Sequence, residues 1–431
     1  MTVRNRVKNP LWFIAPDFLL MLLSLRLALA IRFGAANSEF IQLHFQIFFP
    51  IFLGWLVIMF IHNLFDFRTL RSYLGLSLTL ASAMFFNFIF AVVYFYFQPN
   101  LVLTPRRSLI LVALFAYFLI LLWHLIVRLA LKNRIVEDYY LLGEKDDMIE
   151  LEREIGSLDF LGFRLLGLTS DLRQLPVDKT YGVVVSDKFL ADPVILKQIY
   201  ILRLKGIQFH NHIEFYERLL QRIPLLAVGE LWFVNHIGFQ NNPLENLLKR
   251  ILDLISGIIL GILFVVTWPV IALAIKLNSS GPLFFTQPRV GQNGQSFKVY
   301  KYRSMSAASS GKGWTEVNDS RITTVGRILR RTHLDELPQF VNLILGNMSV
   351  VGPRPEQFEI VQQMRQLIPF YDERHLIKPG ITGWAQLHLY AGTLEETKRK
   401  LEYDLYYLKH RSILFDLEII LKTLYFMFRK I

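Results

Sequence analysis

Two adjacent carboxyl groups, Asp335 and Glu336, lie in a segment that is rich in arginine. Guanidinium groups bind phosphate through paired hydrogen bonds and keep their positive charge. Two neighbouring carboxylates can supply a nucleophile and a ligand for magnesium. The segment therefore predicts a phosphoryl-transfer site, where catalysis rests on positioning and charge neutralisation. The arginines around the acidic pair are Arg321, Arg327, Arg330, Arg331 and Arg354.

The same residues also fit a purely structural explanation. Thr332 and Asp335 have the spacing of a helix capping box that precedes an apolar run. Asp335 would then cap a helix continuing through residue 343, and Glu336 would be favourable in its first turn. Spacing alone leaves both interpretations open.

A second group of basic residues follows a predicted turn. Gly291 and Gly294 flank a tight hairpin turn, and the apolar residues after it suit a returning strand. Lys301 and Arg303 are two residues apart on that strand, so both are predicted to point to one face. They fit either a phosphate site or a solvated strand edge.

Four long apolar stretches precede these motifs. Each reaches the ~20 residues that a helix needs to cross a bilayer. Asp17 and Arg26 interrupt the first stretch, and we expect them to face neighbouring helices or each other, since intramembrane charges usually pair. The stretches are residues 11–33, 43–65, 74–97 and 108–131.

The flanking charges predict the orientation of these spans. Eight basic residues lie on one side and two on the other, so the positive-inside rule places the N-terminus and everything after residue 132 in the cytoplasm. No cleavage pattern of a signal peptide follows the first stretch, which we expect to be retained. The eight are Arg4, Arg6, Lys8, Arg68, Arg71, Arg128, Lys132 and Arg134, and the two are Arg106 and Arg107.

A fifth apolar stretch, residues 251–275, contains Pro269. Proline removes a backbone donor and clashes with the preceding turn, so a helix kinks or breaks there. The stretch fits either a kinked span or a re-entrant hairpin that returns to the same side. The residues alone do not distinguish the kinked span from the re-entrant hairpin.

Residues 135–240 alternate predicted strands and helices, which indicates a βαβ unit with a parallel sheet. The turn after the first strand offers one glycine, Gly143, followed by several acidic residues. The G-x-G-x-x-G pattern that brings backbone close to a pyrophosphate is missing. We therefore expect a structural or regulatory module rather than a nucleotide-binding domain.

The composition limits the remaining possibilities. The chain has 431 residues, 53% of them hydrophobic, no cysteine and a formal net charge of +12. These values exclude a disordered chain and a disulfide-stapled scaffold, and they exclude a thiolate nucleophile. The basic excess indicates an anionic partner, namely a membrane leaflet, a nucleic acid or a phosphorylated substrate.

Three long motifs resemble the bacterial sugar transferase family. They are FFTQPRVGQNGQSFKVYKYRSM, DSRITTVGRILRRTHLDELPQFVNLILGNMSVVGPRPE and KPGITGWAQ, and the resemblance covers about residues 245–430. The members are polyprenyl-phosphate sugar-1-phosphate transferases, also called monotopic phosphoglycosyl transferases. One departure is Asn347, where the family usually has aspartate, and it puts in doubt a charge-dependent role at that position.

The architecture resembles that of the long members of the family. The resemblance implies a membrane protein of mixed α and α/β class. Four transmembrane helices would form a bundle over residues 1–134, and a Rossmann-like α/β domain would occupy residues 135–240. A mainly helical catalytic domain, residues 241–431, would contain a broken re-entrant membrane helix at about residues 247–277, bending near residues 267–269.

The resemblance also implies a reaction. The family transfers a sugar-1-phosphate from a UDP-sugar to polyprenyl (undecaprenyl) phosphate and releases UMP, as the first step of exopolysaccharide, capsule or O-antigen synthesis. It places the enzyme in the bacterial inner membrane with its catalytic domain in the cytoplasm, and it implies Mg²⁺ as the cofactor. Diphosphate and lipid phosphate then replace nucleic acid as the anionic partner.

Site residues follow from the matching motif positions. The resemblance implies that Asp335 attacks the sugar-bearing phosphorus to form a phosphosugar-aspartyl intermediate, and that Glu336 belongs with the magnesium ion. The residues expected to contact the phosphates or the rest of the substrates are Lys301, Arg303, Asp319, Arg321, Arg354 and Thr382.

Several alternatives remain at this level. An inactive membrane scaffold for polysaccharide assembly would have the same spans, although the intact motifs argue against it. An NAD-dependent enzyme is disfavoured by the missing glycines. The helical segment 401–430 fits an interfacial helix or an ordinary core pair equally well. No residue identifies the sugar, and the middle domain is a reasonable place for self-association into a homo-oligomer.

Overall fold

A computed structural model of the protein describes most of the chain. The described residues are 11–34, 38–65, 73–97, 106–132, 137–156, 163–176, 181–237, 242–306, 321–389 and 393–430. The chain divides into two compact units, Met1–His210 and Asn211–Ile431.

Four apolar helices open the first unit. Aromatic and aliphatic side chains on their inner faces form one buried core that includes Phe48, Phe52 and Trp55, while many leucines and phenylalanines point outward. All four are long and apolar enough to cross a membrane. The helices are α1 (Leu11–Phe33), α2 (Ser38–Ile61), α3 (Tyr73–Tyr96) and α4 (Arg106–Lys132).

The charged residues of α1 have different surroundings. Asp17 is fully buried and lies 3.0 Å from Nε2 of His124 on α4, so it faces a neighbouring helix as expected. Arg26 is exposed on the helix surface and does not pair with Asp17. The first unit therefore contains a buried polar contact between its first and fourth helices.

A small sheet follows the apolar helices, with strand order β2-β1-β3-β4. Strand β1 pairs in parallel with both β2 and β3, so the predicted parallel sheet is confirmed. Strand β3 is buried along its whole length, as expected of a strand covered on both faces. The elements are β1 (Glu137–Leu142), α5 (Lys145–Gly156), β2 (Phe163–Thr169), β3 (Gly182–Val185), α6 (Asp187–Leu190), α7 (Pro193–Leu204) and β4 (Gln208–Asn211).

Two short helices at the start of the second unit belong to its core. They are α8 (His212–Leu220) and α9 (Glu230–His236). Trp232 and Phe233 lie in the same buried cluster as Leu401 and Leu405. The sequence predicts a middle domain that extends to residue 240, whereas Trp232 and Phe233 pack in the core of the second unit.

The fifth apolar helix, α10 (Pro243–Asn278), runs for 36 residues and is also long enough to cross a membrane. Asn242 caps its start, and Pro269 lies inside it. The structure does not interrupt the helix at residues 267–269, so the expected break is not seen in its secondary structure. Proline there removes one hydrogen bond, and the Thr267 hydroxyl donates to the Leu263 carbonyl one turn earlier.

The rest of the second unit packs around α10. The predicted hairpin is confirmed, because β5 and β6 are antiparallel neighbours joined at residues 291–295. Strands β7 and β8 form a short parallel pair. The elements are β5 (Phe284–Val290), β6 (Ser296–Tyr302), α11 (Thr324–Arg331), α12 (Phe340–Leu345), β7 (Ser349–Val351), α13 (Phe358–Leu367), β8 (Gly380–Thr382), α14 (Trp384–His388), α15 (Leu394–His410) and α16 (Ile413–Lys430).

Two features link α10 to its neighbours, one to strand β7 and one to helix α12. The Asp253 carboxylate is buried and accepts hydrogen bonds from the Ser349 hydroxyl (2.7 Å) and the Val350 amide (2.8 Å). Gly257 and Gly261 face α12 so closely that an added Cβ would lie 3.2–3.3 Å from Leu343 or Phe340 side chains. The apolar helix is thus fixed to the strand and helix beside it.

The C-terminal helices pack as a core pair, which is one of the two interpretations of segment 401–430. On α15, Leu401, Leu405 and Tyr407 are buried in the core of the second unit. On α16, Ile419 is fully buried while Leu414 and Leu424 are exposed. The pair therefore packs as core helices and still presents leucines on one side.

The close approach of β7 and β8 generates a prediction about stability. A Cβ on Gly352 would lie 2.4 Å from the Lys378 carbonyl oxygen and 2.9 Å from the Gly380 amide nitrogen. Both are backbone atoms that cannot move alone, so we expect Gly352→Ala to destabilise the protein by about 2–3 kcal/mol. The midpoint of thermal unfolding in nanodiscs, followed by circular dichroism, measures the effect.

Gly229→Ala is the matched control, because a Cβ there meets nothing within 4 Å and the backbone has φ −131°. It should change stability by no more than ~0.5 kcal/mol. Equal midpoints for the two variants would contradict the packing argument.

Candidate active site

The acidic pair lies in a short 3₁₀ helix, Leu334–Gln339, that directly follows α11. His333 has left-handed backbone angles (φ 56°) and turns the chain between the two helices. The Thr332 hydroxyl donates back to the Ile328 carbonyl (2.8 Å), so it closes α11 rather than opening the next helix. The capping-box interpretation of Asp335 is therefore wrong.

Glu336 is held by two cations at one oxygen. Lys301 Nζ lies 2.6 Å and Arg354 Nη2 lies 3.0 Å from Glu336 Oε1. Burial alone would raise the pKa of Glu336, but the two cations outweigh it and hold that pKa far below its ordinary value. Glu336 is therefore ionised throughout the physiological pH range.

The pKa of Asp335 is shifted in the opposite direction, upward. Its side chain is buried, with 8% of the residue exposed. Burial and the neighbouring negative charge of Glu336 raise the pKa of Asp335 to about 6, although Lys301, Arg330 and Arg354 oppose the rise. Two adjacent carboxyl groups thus differ strongly in acidity, a pattern that is common where acids have distinct chemical roles.

An open cleft lies beside Glu336, the second acid of the pair. Three of its lining residues are basic and one is acidic, so the lining favours an anionic ligand. The cleft is lined by Arg289, Val299, Lys301, Glu336, Gln339, Arg354, Pro355 and Gly380.

A buried charge network supports the wall of this cleft. Glu356 forms an ion pair with Lys400, and Arg289 Nη1 lies 3.8 Å from its carboxylate. Burial opposes ionisation, but Lys400, Arg374 and Arg289 lower the pKa of Glu356 to about 2. Sequence reasoning missed these partners of Glu356, although its place two residues after Arg354 was a signal.

Arg374 extends the network to the backbone of the cleft. It is buried, forms a 2.8 Å ion pair with Asp404 on α15 and donates to the Arg354 carbonyl (3.2 Å). The Arg354 side chain itself is 43% exposed toward the cleft opening. The buried pair therefore fixes the backbone from which the exposed guanidinium extends.

The structure brings together some of the predicted residues and separates others. Lys301, Glu336 and Arg354 are in direct contact, and Asp335 is the neighbour of Glu336. Arg303 does not join them. It is buried at the end of α10, where it donates to the carbonyls of Ser279 and Ser280 (2.7 and 3.0 Å).

The expectation that Lys301 and Arg303 share one face is therefore wrong. Strand β6 ends at Tyr302, so the alternation of a strand does not extend to Arg303. The carbonyls of Ser279 and Ser280, which directly follow α10, bind the guanidinium instead.

The remaining predicted residues lie elsewhere or outside the described part. The Thr382 hydroxyl lies 2.6 Å from that of Thr423 on α16. Arg321 lies where the chain forms a short antiparallel bridge, and its carbonyl accepts from the Ser306 amide. Asp319 lies outside the described residues.

The acidic pair offers ligands for a magnesium ion. Within the described ranges, no three His, Asp or Glu side chains converge as a metal cage. Magnesium needs no such cage, because it is commonly bound by one or two carboxylates together with waters and substrate phosphates. Lys301 and Arg354 both contact Oε1 of Glu336, so Oε2 and the Asp335 carboxylate are the oxygens that fit this role.

Comparison with known proteins identifies relatives of the second unit. The family described as bacterial sugar transferase matches residues 244–430. A UDP-N-acetylgalactosamine-undecaprenyl-phosphate N-acetylgalactosaminephosphotransferase from Aeromonas hydrophila is 42% identical over 186 residues, or 42% of this chain and 44% of the relative. A UDP-glucose:undecaprenyl-phosphate glucose-1-phosphate transferase from Escherichia coli K12 is 45% identical over 186 residues, 42% and 40% of the two chains.

A shorter relative is covered almost completely. The exopolysaccharide production protein PSS from Rhizobium leguminosarum is 40% identical over 189 residues, which are 42% of this chain and 94% of that protein. By contrast, the chain spans less than half the length of the Aeromonas and Escherichia relatives.

The unequal acidity of the pair predicts two distinct titrations. We expect the Asp335 carboxyl to protonate with a midpoint near pH 6, followed as an infrared difference between the wild type and Asp335→Asn in nanodiscs. Glu336→Gln removes the adjacent negative charge, so the midpoint should move to lower pH. An unchanged midpoint in Glu336→Gln would show that the two carboxyl groups do not interact.

Proposed function

This chain belongs to the bacterial sugar transferase family, and we propose that it transfers a sugar-1-phosphate from a UDP-sugar to polyprenyl phosphate and releases UMP. The observation that carries the proposal is the pair of adjacent acids with opposite pKa shifts beside a cation-lined cleft. The names of the Aeromonas and Escherichia relatives, both undecaprenyl-phosphate sugar phosphotransferases, support the same reaction. The chain is therefore proposed to be a phosphotransferase.

The first proposed step uses Asp335 as the nucleophile. A carboxylate oxygen of Asp335 forms a bond to the sugar-bearing phosphorus of the donor diphosphate. The bond from that phosphorus to the bridging oxygen breaks, and UMP leaves with the bridging oxygen and its electron pair. Since the pKa of Asp335 is about 6, the nucleophile is mostly ionised at neutral pH.

The second proposed step returns the enzyme to its starting state. An oxygen of the polyprenyl phosphate forms a bond to the same phosphorus, and the bond to Asp335 breaks. The product is a polyprenyl diphosphate sugar, and Asp335 is again a free carboxylate. Neither step requires an oxidant or a reductant.

The basic residues of the cleft stabilise the negative charge of the phosphates. Lys301 and Arg354 already neutralise Glu336, and Arg289 lines the same cleft. Fixed cations aimed at a transferring phosphoryl group lower the barrier most effectively when water is excluded. A magnesium ion held by Glu336 and Asp335 would add charge neutralisation at the diphosphate.

The membrane arrangement follows from the apolar helices, which indicate a membrane-associated protein. We propose that α1 to α4 form a four-helix bundle in the bacterial inner membrane, followed by a Rossmann-like domain. UDP-sugars are cytoplasmic, so the cleft must face the cytoplasm. Both basic ends of α10 would then lie at the cytoplasmic face, which requires the continuous helix to bend at Pro269 inside the membrane and return to the same side.

The proposed reaction is tested by substituting the nucleophile. We expect Asp335→Asn to release UMP at least ~10³-fold more slowly than the wild type, because an amide is a poor nucleophile and a poor leaving group. The assay supplies UDP-glucose or UDP-N-acetylgalactosamine, magnesium and undecaprenyl phosphate to the full chain in nanodiscs. Without the acceptor, the wild type should release one UMP per site and gain the mass of a sugar phosphate.

Asp372→Asn is the matched control, since Asp372 is 52% exposed and pairs with Arg365, and the amide oxygen of the variant can still accept from Nδ1 of His375. It should turn over at the wild-type rate, because surface ion pairs contribute little. Full turnover by Asp335→Asn would rule out the covalent mechanism. A wild-type chain that releases no UMP from any UDP-sugar would instead favour an inactive scaffold.

A further inference from the structure

Two basic residues precede the apolar part of α10, and their charges are balanced differently. Lys249 Nζ lies 2.6 Å from the buried Asp416 carboxylate and also donates to the Tyr407 hydroxyl. Arg250 contacts no carboxylate within the described part of the chain. One of the two charges is therefore neutralised inside the protein and the other is not.

Arg250 is nevertheless held in a fixed position. Its Nη1 donates to the Leu343 carbonyl and its Nη2 to the Ile344 carbonyl, both at 2.7 Å. These carbonyls belong to the last turn of α12, which ends at Leu345 and is capped by Gly346 with φ +79°. The guanidinium is thus pre-organised at the end of this helix.

Lys378 approaches the same point from the segment before β8. A Cβ built on Gly346 would lie 3.4 Å from Arg250 Nη1 and 3.5 Å from Lys378 Nζ, so the two cations converge on one small region. Among the described residues, Lys378 forms no ion pair. The partial negative charge at a helix end amounts to about half an elementary charge, which leaves most of the two positive charges unbalanced.

The surroundings of this cation pair are apolar. Ile344 and Leu345 are 44% and 62% exposed beside the carbonyls that Arg250 binds. Ile251, the next residue on α10, begins an apolar and largely exposed stretch of that helix. Two converging cations next to exposed aliphatic side chains match a ligand with an anionic head and an apolar tail.

We infer that Arg250 and Lys378 form a binding site for the phosphate group of a membrane lipid. The chemistry is that of a phosphate ester bound by a fixed guanidinium and an ammonium group. Two lipids carry this group in the proposed setting, namely an anionic glycerophospholipid and the polyprenyl phosphate acceptor. The second source rests on the proposed transferase function.

The test measures lipid binding without turnover. The full chain is placed in phosphatidylcholine nanodiscs that contain either phosphatidylglycerol or undecaprenyl phosphate, and native mass spectrometry counts the retained lipid. Lys378→Gln should weaken binding of the preferred lipid about tenfold, because it removes one charge-assisted hydrogen bond. Arg250→Gln combined with Lys378→Gln should weaken it further, and Lys378→Arg should restore it.

Lys298→Gln is the control, since Lys298 is an exposed lysine of the same unit and should bind lipid like the wild type. Weaker binding of phosphatidylglycerol alone identifies a bilayer lipid, and weaker binding of undecaprenyl phosphate identifies the acceptor. Both results support the site. Wild-type binding of both lipids by Lys378→Gln and by the double variant would overturn it, and the two cations would then only stabilise the end of α12.

The unfolding midpoint and the rate of UMP release are measured separately for each variant. If Arg250→Gln lowers the unfolding midpoint, Lys378→Gln alone decides the outcome, because Lys378 forms no ion pair among the described residues. The inference fails if the variants bind both lipids like the wild type, and the proposed function fails if the wild type releases no UMP. Because lipid binding and UMP release are measured separately, the two failures are distinguishable.

Discussion

The contact of Lys301 and Arg354 with a single oxygen of Glu336 determines the electrostatics of the cleft. Both cations lie within 3.0 Å of Oε1, and the resulting ionised carboxylate raises the pKa of the residue before it. Without these cations, two buried acids side by side would share one proton, as like charges at short range do. The cation pair therefore allows one acid to stay charged and the other to have a pKa near neutrality.

The positions of those cations depend on contacts far from the cleft. Lys301 lies on β6, whose neighbour Asn342 on α12 donates to the Lys298 carbonyl (2.7 Å). Arg354 follows β7, and β7 is fixed to the apolar helix through Asp253. Lys249 adds a second link, since it donates to the Val351 carbonyl while it pairs with Asp416. The helix that is proposed to enter the membrane thus positions the cleft directly.

The sequence predicted the elements better than the contacts between them. The apolar helices, the parallel sheet and the β5–β6 hairpin follow local rules of periodicity and turn chemistry, and all three are present. The position of Arg303 was predicted wrongly because strand β6 ends one residue before it, at Tyr302, so the alternation of side chains does not reach Arg303. The role of Thr332 was left open because its hydroxyl could close the preceding helix as easily as open the next, and the structure shows that it closes α11. The partners of Glu356 were missed because Lys400 is 44 residues away, beyond any local pattern.

The 3₁₀ geometry explains why adjacent acids can have such different environments. A 3₁₀ helix has three residues per turn, so neighbouring side chains point about 120° apart. Glu336 can then turn toward Lys301 and Arg354 while Asp335 turns into a buried position. On a strand, adjacent side chains would point to opposite faces, and the backbone would separate the two carboxyl groups. The left-handed turn at His333 and the short 3₁₀ helix after it are therefore the local features that place the two acids side by side. Glu336 is paired with two cations there, and the pKa of Asp335 is raised.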